Sequence, residues 1–352
     1  MKGFERRLNQ RLEFESDVLR EATPGVVIEA WYRGRRAGRV EWGKTYPYYD
    51  LASLTKIIFT SSVAVQYFSD HRAELKQPLS RHLPWTKLRA TPYQLLSHTA
   101  GLEWWLPMYK KLKGPLVPEK RWAQLEKRLA QLKPKKRDQA VYSDPDLWMM
   151  GAYLRAAKER ELLELWQENV EALRLRGLFF HPGNRPRYKR SLYAPTEKCP
   201  WRGKTLQGEV HDENCWSFGG VSSHAGLFGT MDGVVRWGLE VRRAWRGDSK
   251  RFGDSKVLRY FMARRIPKSV GDWGLGFMKP SRPGASCGRY FSSQSAGHTG
   301  FTGTSFWLDP KRDLMVVILS NRVHPTRKNG NFVKLRPLLH NWVVESLNKE
   351  SK

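Results

Sequence analysis

The sequence predicts an α+β protein: an antiparallel sheet flanked by terminal helices, beside a second, mostly helical domain. Three observations carry that prediction. Short runs rich in β-branched and aromatic residues lie near both ends, "VVIEAWYR" and "AGRVEW" early, "TSFWLDP" and "DLMVVILSN" late, and these read as strands. The long middle carries helix caps and helical periodicity instead. A charged amphipathic helix stands outside each strand group. The simplest packing joins the N- and C-terminal strands in one sheet, lays the terminal helices on it and makes the helical middle a second layer. Residues 1–52 with 265–352 then form an α/β domain, 53–264 a helical one, and the cleft between them is the expected site.

Each element follows from local chemistry. "MKGFERRLNQRLEFESDVLREA" places Phe4, Leu8, Leu12 and Val18 roughly on one side of a helix. Pro24-Gly25 makes a turn, and "GRR" joins the first two strands. From Ser53 onward "LTKIIFTSSVAVQYF" is apolar nearly all round, as a helix buried mid-protein would be. Thr91-Pro92 opens a helix with a threonine cap and proline in its first turn; it stops within "LLSHTAGL", where Gly101 suits a left-handed position. Residues 107–138 form a basic insert whose helix carries a stripe of Trp122, Leu125, Leu129 and Leu132. Further helices are expected at about 146–157, 162–175 and 230–245. The late strands are "RYFSSQSAGHTG", "TSFWLDP" and "DLMVVILSN", the last two joined by an Asp-Pro-Lys-Arg turn. "FVKLRPLLHNWVVESLNK" closes the chain as a helix.

Composition narrows the function classes. With 352 residues, 40% of them hydrophobic and 12% aromatic, the chain has enough apolar material for a large core. No apolar run approaches the roughly 18 residues a membrane span needs. The N-terminal stretch lacks the apolar centre of a secretory signal, so the expected compartment is the cytoplasm. Cys199, Cys215 and Cys287 have neither disulfide nor zinc spacing. The net charge of +28 favours anionic partners, but it is spread over "RRAGR", "KKLKG", "KPKKR" and "RPRYKR" without an RNA-binding motif, zinc finger or phosphate loop. No specific nucleic acid, cofactor or metal is expected. "KPKKR" (133–137) reads as a solvated linker.

Three short stretches carry chemistry. In "YYDLASLTKIIFT", Ser53 and Lys56 share one face of an opening helical turn. Ser-x-x-Lys alone does not separate a nucleophile with its base from an ordinary helix-opening serine, and it recurs at Ser346 and Lys349. Lysine serves as a base only with a lowered pKa. "VYSDPD" offers Tyr142 to relay a proton, with Ser143 and Asp144 beside it. "AGHTGFTG" sets His298, Thr299 and Gly300 at a strand edge, where glycine lets a substrate approach the backbone. The backbone N–H groups of Ser53 and Phe301 are then the natural oxyanion donors. Elsewhere His98 reads as a structural hydrogen-bonding group, His211–Asn214 as a loop-ordering network and His224 as packing. Arg322 and Arg327 are candidate clamps for a substrate carboxylate.

The order Ser-x-x-Lys, Tyr-x-Asp, basic residue-Thr-Gly resembles the penicillin-recognising serine hydrolases: class C β-lactamases, DD-peptidases and their esterase relatives. "TPYQLLSHTAGL", "YSDPDLWMMGAYL", "GGVSSHAGLFGT" and "VVILSNRVHP" look like that superfamily's segments in its order, over roughly residues 24–345. The resemblance implies a β-lactamase/transpeptidase-like fold, Ser53 as acylated serine, Lys56 as its proton acceptor and Tyr142 as second proton-transfer group. It implies that a protonated His298 binds a substrate carboxylate and hydrogen-bonds Tyr142, with Thr299 on the same carboxylate. Asp144 departs from the usual asparagine, whose amide donates to the substrate's acyl-side carbonyl. Ionised Asp144 only accepts and keeps Lys56 charged. The expected function is a serine hydrolase acting on D-amino-acid peptides related to peptidoglycan. The alternatives are a small-ester carboxylesterase and a non-catalytic protein binding anionic cell-wall fragments.

Overall fold

The two terminal groups of strands do pair. In the computed structural model, which describes residues 2–348, five antiparallel strands make one sheet. They are β1 (Gly25–Tyr32), β2 (Arg35–Gly43), β3 (Ala296–Thr299), β4 (Ser305–Asp309) and β5 (Leu314–Ser320), in the spatial order β2–β1–β5–β4–β3. The seam is β1 against β5, from Val26 opposite Ser320 to Tyr32 opposite Leu314. Only Arg33 and Gly34 join β1 to β2, at φ of 50° and 75°, the conformation two-residue hairpins use.

The period-2 alternation of the strands decides what each face buries. Val26, Ile28 and Ala30 of β1, with Leu314, Val316 and Ile318 of β5, pack with Phe4, Leu8, Leu12, Leu335 and Leu339 of the terminal helices. Val27, Met315, Val317 and Leu319 face the other way, into the helical layer. Both faces are covered, which is why β5 reads as an unbroken apolar run. Fully burying a side chain such as Ile318 contributes about 2 kcal/mol.

The N-terminal helix is divided into Lys2–Phe14 and Ser16–Ala22. Val18 departs from expectation: it is 44% exposed, and Leu19 is buried in its place. Leu19 lies seven residues, two turns, after Leu12 and is the residue in phase. The closing helix, Asn331–Asn348, carries Ser346, whose carbonyl accepts from Arg7. Lys349, the other half of the second Ser-x-x-Lys, lies outside the described residues.

In the helical layer, Ser53 is followed by a π-helical turn, Lys56–Ser61, continuing as the α-helix Ser62–Asp70. Ser61 and Ser62 hydroxyls donate to carbonyls five residues back; such widened turns often mark functional sites. The helix Asp144–Lys158 is capped by Ser143, and Met231–Arg246 by Thr230. Gly238 of the latter lets it rest on the sheet, with Phe306 and Met315 against its backbone. A helix at Ser255–Met262, not anticipated from the sequence, starts on the Asp254 cap.

The basic insert is part of the core rather than an appendage. Its helix, Pro118–Leu129, buries Trp122, Leu125 and Leu129, and the Trp122 indole donates to Val221 O at 2.9 Å. "KPKKR" is not a free linker: the Lys135 amide donates to Gly101 O at 2.8 Å, and Lys135 and Arg137 both pair with Glu103. None of the described helices is long and apolar enough to cross a membrane.

Candidate active site

The site is assembled around Ser53. Ala52, just before it, holds φ at 47°, a left-handed conformation that costs a non-glycine residue energy. Asp50 offsets that cost: one carboxylate oxygen accepts from the Ala52 amide at 2.9 Å and the other from the His211 amide at 2.8 Å. The turn presents the Ser53 hydroxyl at the mouth of the π-helical segment, half-buried.

Lys56 Nζ has three acceptors around it: Ser53 Oγ at 2.9 Å, His224 O at 3.0 Å and Asp144 Oδ1 at 2.8 Å. Three acceptors match the three protons of an ammonium. The side chain is 1% exposed. Burial pulls the pKa down, but the opposing charge of Asp144, aided by Tyr142, outweighs it and raises Lys56 above its ordinary value. The Tyr142 hydroxyl donates to Ser53 Oγ at 2.9 Å; burial raises its pKa too, with Lys56 pulling the other way. Ser53 Oγ thus accepts from both neighbours.

Tyr142 is held by its surroundings. Trp273 stacks on it, 5.5 Å between centroids and 3° from parallel, and His98 meets it edge-on at 5.1 Å. His98 is structural as expected: it is buried, faces Asp146 at 3.1 Å and accepts from the Ser143 amide.

The opposite wall is the turn after β3. Gly300 has no room for a side chain: a Cβ there would lie 2.0 Å from Thr304 Oγ1 and 2.7 Å from Leu51 O. Its backbone groups are used internally, the amide by Thr304 O and the carbonyl by Gly303 N and Arg336. Thr302 donates to Asp50 O at 2.7 Å and Thr304 to Leu51 O at 3.0 Å. These two hydroxyls tie the turn to the chain entering Ser53. The Ser53 and Phe301 amides have no acceptor among the described residues, as an oxyanion hole requires.

Two expectations for this wall need correction. His298 is not an imidazolium: it is 1% exposed, Nδ1 bonds to Thr299 O at 2.8 Å, and burial with the charge of Lys56 pushes its pKa down to about 3. It makes no hydrogen bond with Tyr142; the rings lie 5.7 Å apart and Nε2 is unpartnered. Arg322 is not a carboxylate clamp. Its guanidinium donates to Phe301 O at 2.7 Å and Asn329 O at 2.9 Å and lies over the Phe301 ring, so it braces the turn. Arg327 is held by Glu197 and Glu213. Thr299 is partly exposed, with Met278 Sδ 3.9 Å from its hydroxyl.

Asp144, Asp212 and His224 bring ligand atoms within 4.8 Å of one another, a spacing that invites a metal reading. The tautomer argues otherwise. His224 Nδ1 accepts from the Trp148 indole at 3.0 Å, and an indole only donates, so Nε2 carries the proton and faces Asp212 Oδ1 at 3.1 Å. The positive charge balanced here is the ammonium of Lys56. The rest of 211–214 orders loops, with Asn214 bonded to Tyr109 N and Leu106 O.

The family model described as Beta-lactamase matches residues 4–335. The chain belongs to the Beta-lactamase family. A protein of Salmonella gallinarum, provisionally named a D-alanyl-D-alanine carboxypeptidase, is 29% identical over 336 residues, spanning 85% of this chain and 76% of its own. The fold is shared with a β-lactamase/D-alanine carboxypeptidase from Pseudomonas syringae (TM-score 0.69, 17% identity, 95% and 99% of the two chains). It is also shared with EstCE1, a hydrolase with promiscuous acyltransferase activity (TM-score 0.66, 17% identity, 96% and 98%). This member of the family is a serine hydrolase. Reasoning from sequence missed Trp273, Thr302 and Thr304, and read Asp212 only as part of a loop. The glycine pair in "DWGLGF" and the threonines in "TGFTGTS" were the available signals.

Proposed function

We propose that the chain cleaves D-amino-acid peptides related to peptidoglycan through an acyl-enzyme on Ser53. The observation that carries this reading is Ser53 Oγ, held by Lys56 and Tyr142 at 2.9 Å each, beside two backbone amides that no described residue uses. Both neighbours donate to Ser53, so the resting site is in its acid form and a proton must leave before attack. It goes to solvent on the alkaline side, which leaves a neutral Lys56 amine. Ser53 Oγ then bonds to the acyl carbon and its proton passes to that amine. The carbonyl oxygen becomes an oxyanion between the Ser53 and Phe301 amides. On collapse the leaving amine takes the Tyr142 proton, and the proton that Lys56 took from Ser53 passes to the phenolate. Water then attacks the ester and the same groups carry its proton.

A second reading, an esterase on the same site, draws support from one feature. The groups expected to grip a carboxylate are a neutral His298 and two arginines already engaged, and Asp144 has no N–H for an acyl-side amide. Intact-mass spectrometry after incubation with a penicillin, and separately with a p-nitrophenyl ester and a D-Ala-D-Ala peptide, tests both readings beside Ser53→Ala. An adduct on the unsubstituted chain alone, with peptide release, supports the peptidase. Ester cleavage without either makes it the esterase, and no adduct or turnover with any of the three returns it to a binding protein.

A further inference from the structure

A row of aromatic rings leaves the site on the Asp144 side. Trp104 O accepts the Asp144 amide at 3.1 Å, which fixes the backbone of this tryptophan against that of the residue whose carboxylate touches Lys56. Its ring is 64% exposed. From there the rings run in contact: Trp104 to Trp105 at 5.9 Å, Trp105 to Tyr109 at 6.2 Å, Tyr109 to Trp201 at 4.8 Å and Trp201 to Trp216 at 5.3 Å. Trp201 is 45% exposed, and Arg202 lies against both it and Trp216. The far end is also tied to the site, because Asn214, two residues from Asp212, holds the Tyr109 amide at 2.9 Å.

Exposed apolar surface of this extent, continuous with a reaction centre, marks a ligand groove. Its shape selects the ligand. An alkyl chain gains most when enclosed on all sides, whereas this wall is one-sided and open to water. The matching ligand is flat, apolar on one face and polar round its edge, and a pyranose ring with axial C–H groups and equatorial hydroxyls has that form. Indole and phenol rings are likewise apolar in the body and polar at the tip.

We infer that the Trp104–Trp201 row is a sugar-binding subsite, which holds the glycan part of a glycopeptide while its peptide end reaches Ser53. The inference rests on the peptidase reading for what is cleaved, but the stacking does not need turnover.

The test separates the two. Calorimetric titration of the Ser53→Ala protein with N,N′-diacetylchitobiose should show binding, and Trp104→Ala with Trp201→Ala should weaken it at least tenfold, equivalent to about 1.4 kcal/mol. On the active enzyme, a D-Ala-D-Ala peptide carrying an N-acetylated amino sugar at its far end should have a KM about tenfold below that of the acetyl-capped peptide. The double variant should remove that difference and leave kcat for the capped peptide unchanged. No binding of the disaccharide, or equal loss on capped and sugar-bearing peptides, overturns the inference. Binding of the disaccharide without peptide cleavage upholds the subsite and sinks the peptidase reading instead.

Discussion

Two lysines of this chain are almost equally buried and chemically opposite. Lys56 is 1% exposed and Lys279 2%. Lys279 donates to two carbonyls, Met262 O at 2.8 Å and Gln294 O at 2.9 Å, and burial pushes its pKa down to about 7. Lys56 has a carboxylate among its partners and is pushed up. Neutral oxygens satisfy hydrogen bonds without replacing the hydration that stabilised the charge; a carboxylate replaces it. The lysine with a base-like pKa therefore bonds to two backbone carbonyls away from Ser53, and the one at Ser53 is kept protonated chiefly by Asp144, aided by Tyr142. Burial alone does not activate a lysine.

The comparison breaks most completely at Lys56 itself. Lys56→Met should cut kcat/KM for any cleaved ester by about 10³-fold or more, read by initial rates, while the protein still melts cooperatively. A loss under tenfold would remove Lys56 from the mechanism.

Asp144→Asn makes Lys56 resemble Lys279. With burial opposed only by Tyr142, the Lys56 pKa falls, and the alkaline-side rise in acylation rate should move to lower pH. The new amide can donate to an acyl-side carbonyl, so acylation by a penicillin should rise about tenfold. Stopped-flow acylation from pH 5 to 10 checks both, and an unmoved profile would show that Asp144 does not set the charge of Lys56.

Smaller effects lie in stability. His298 and His340 are pushed by burial to about 3 and His181 to about 4. Below the ordinary value of 6.5 the unfolded chain takes protons that the folded chain refuses, so stability should fall as pH drops from 6.5 toward 4. His340→Gln should flatten part of that fall in thermal melts, and an unchanged slope would refute the assignment. Lys279 works at the other end. Between about 7 and its ordinary 10.5 the unfolded chain holds the proton the folded chain has lost, so stability should rise with pH there, by at most about 1.4 kcal/mol per pH unit. Lys279→Met should abolish the rise; its persistence would place the titrating group elsewhere.

The strands β1 and β5, the cap at Thr91 and the stripe through Trp122 were legible because local chemistry decides them. Ser53, Lys56 and Tyr142 were legible through spacing and resemblance. The charge of His298 was not, because the turn of its ring onto Thr299 O and the depth of its burial are tertiary facts. The role of Arg322 was hidden for the same reason, since an arginine aimed at a substrate and one aimed at a carbonyl look alike in sequence. The aromatic row escaped notice because Trp104 and Trp201 are far apart in the chain and meet only through Tyr109.

The ties from Thr302 to Asp50 and from Thr304 to Leu51 have a temporal consequence. Of the two amides proposed as the oxyanion hole, that of Ser53 is made early in synthesis and that of Phe301 some 250 residues later. The oxyanion hole proposed for these two amides is therefore complete only once β5 has paired with β1, and hydrolytic competence waits on the sheet.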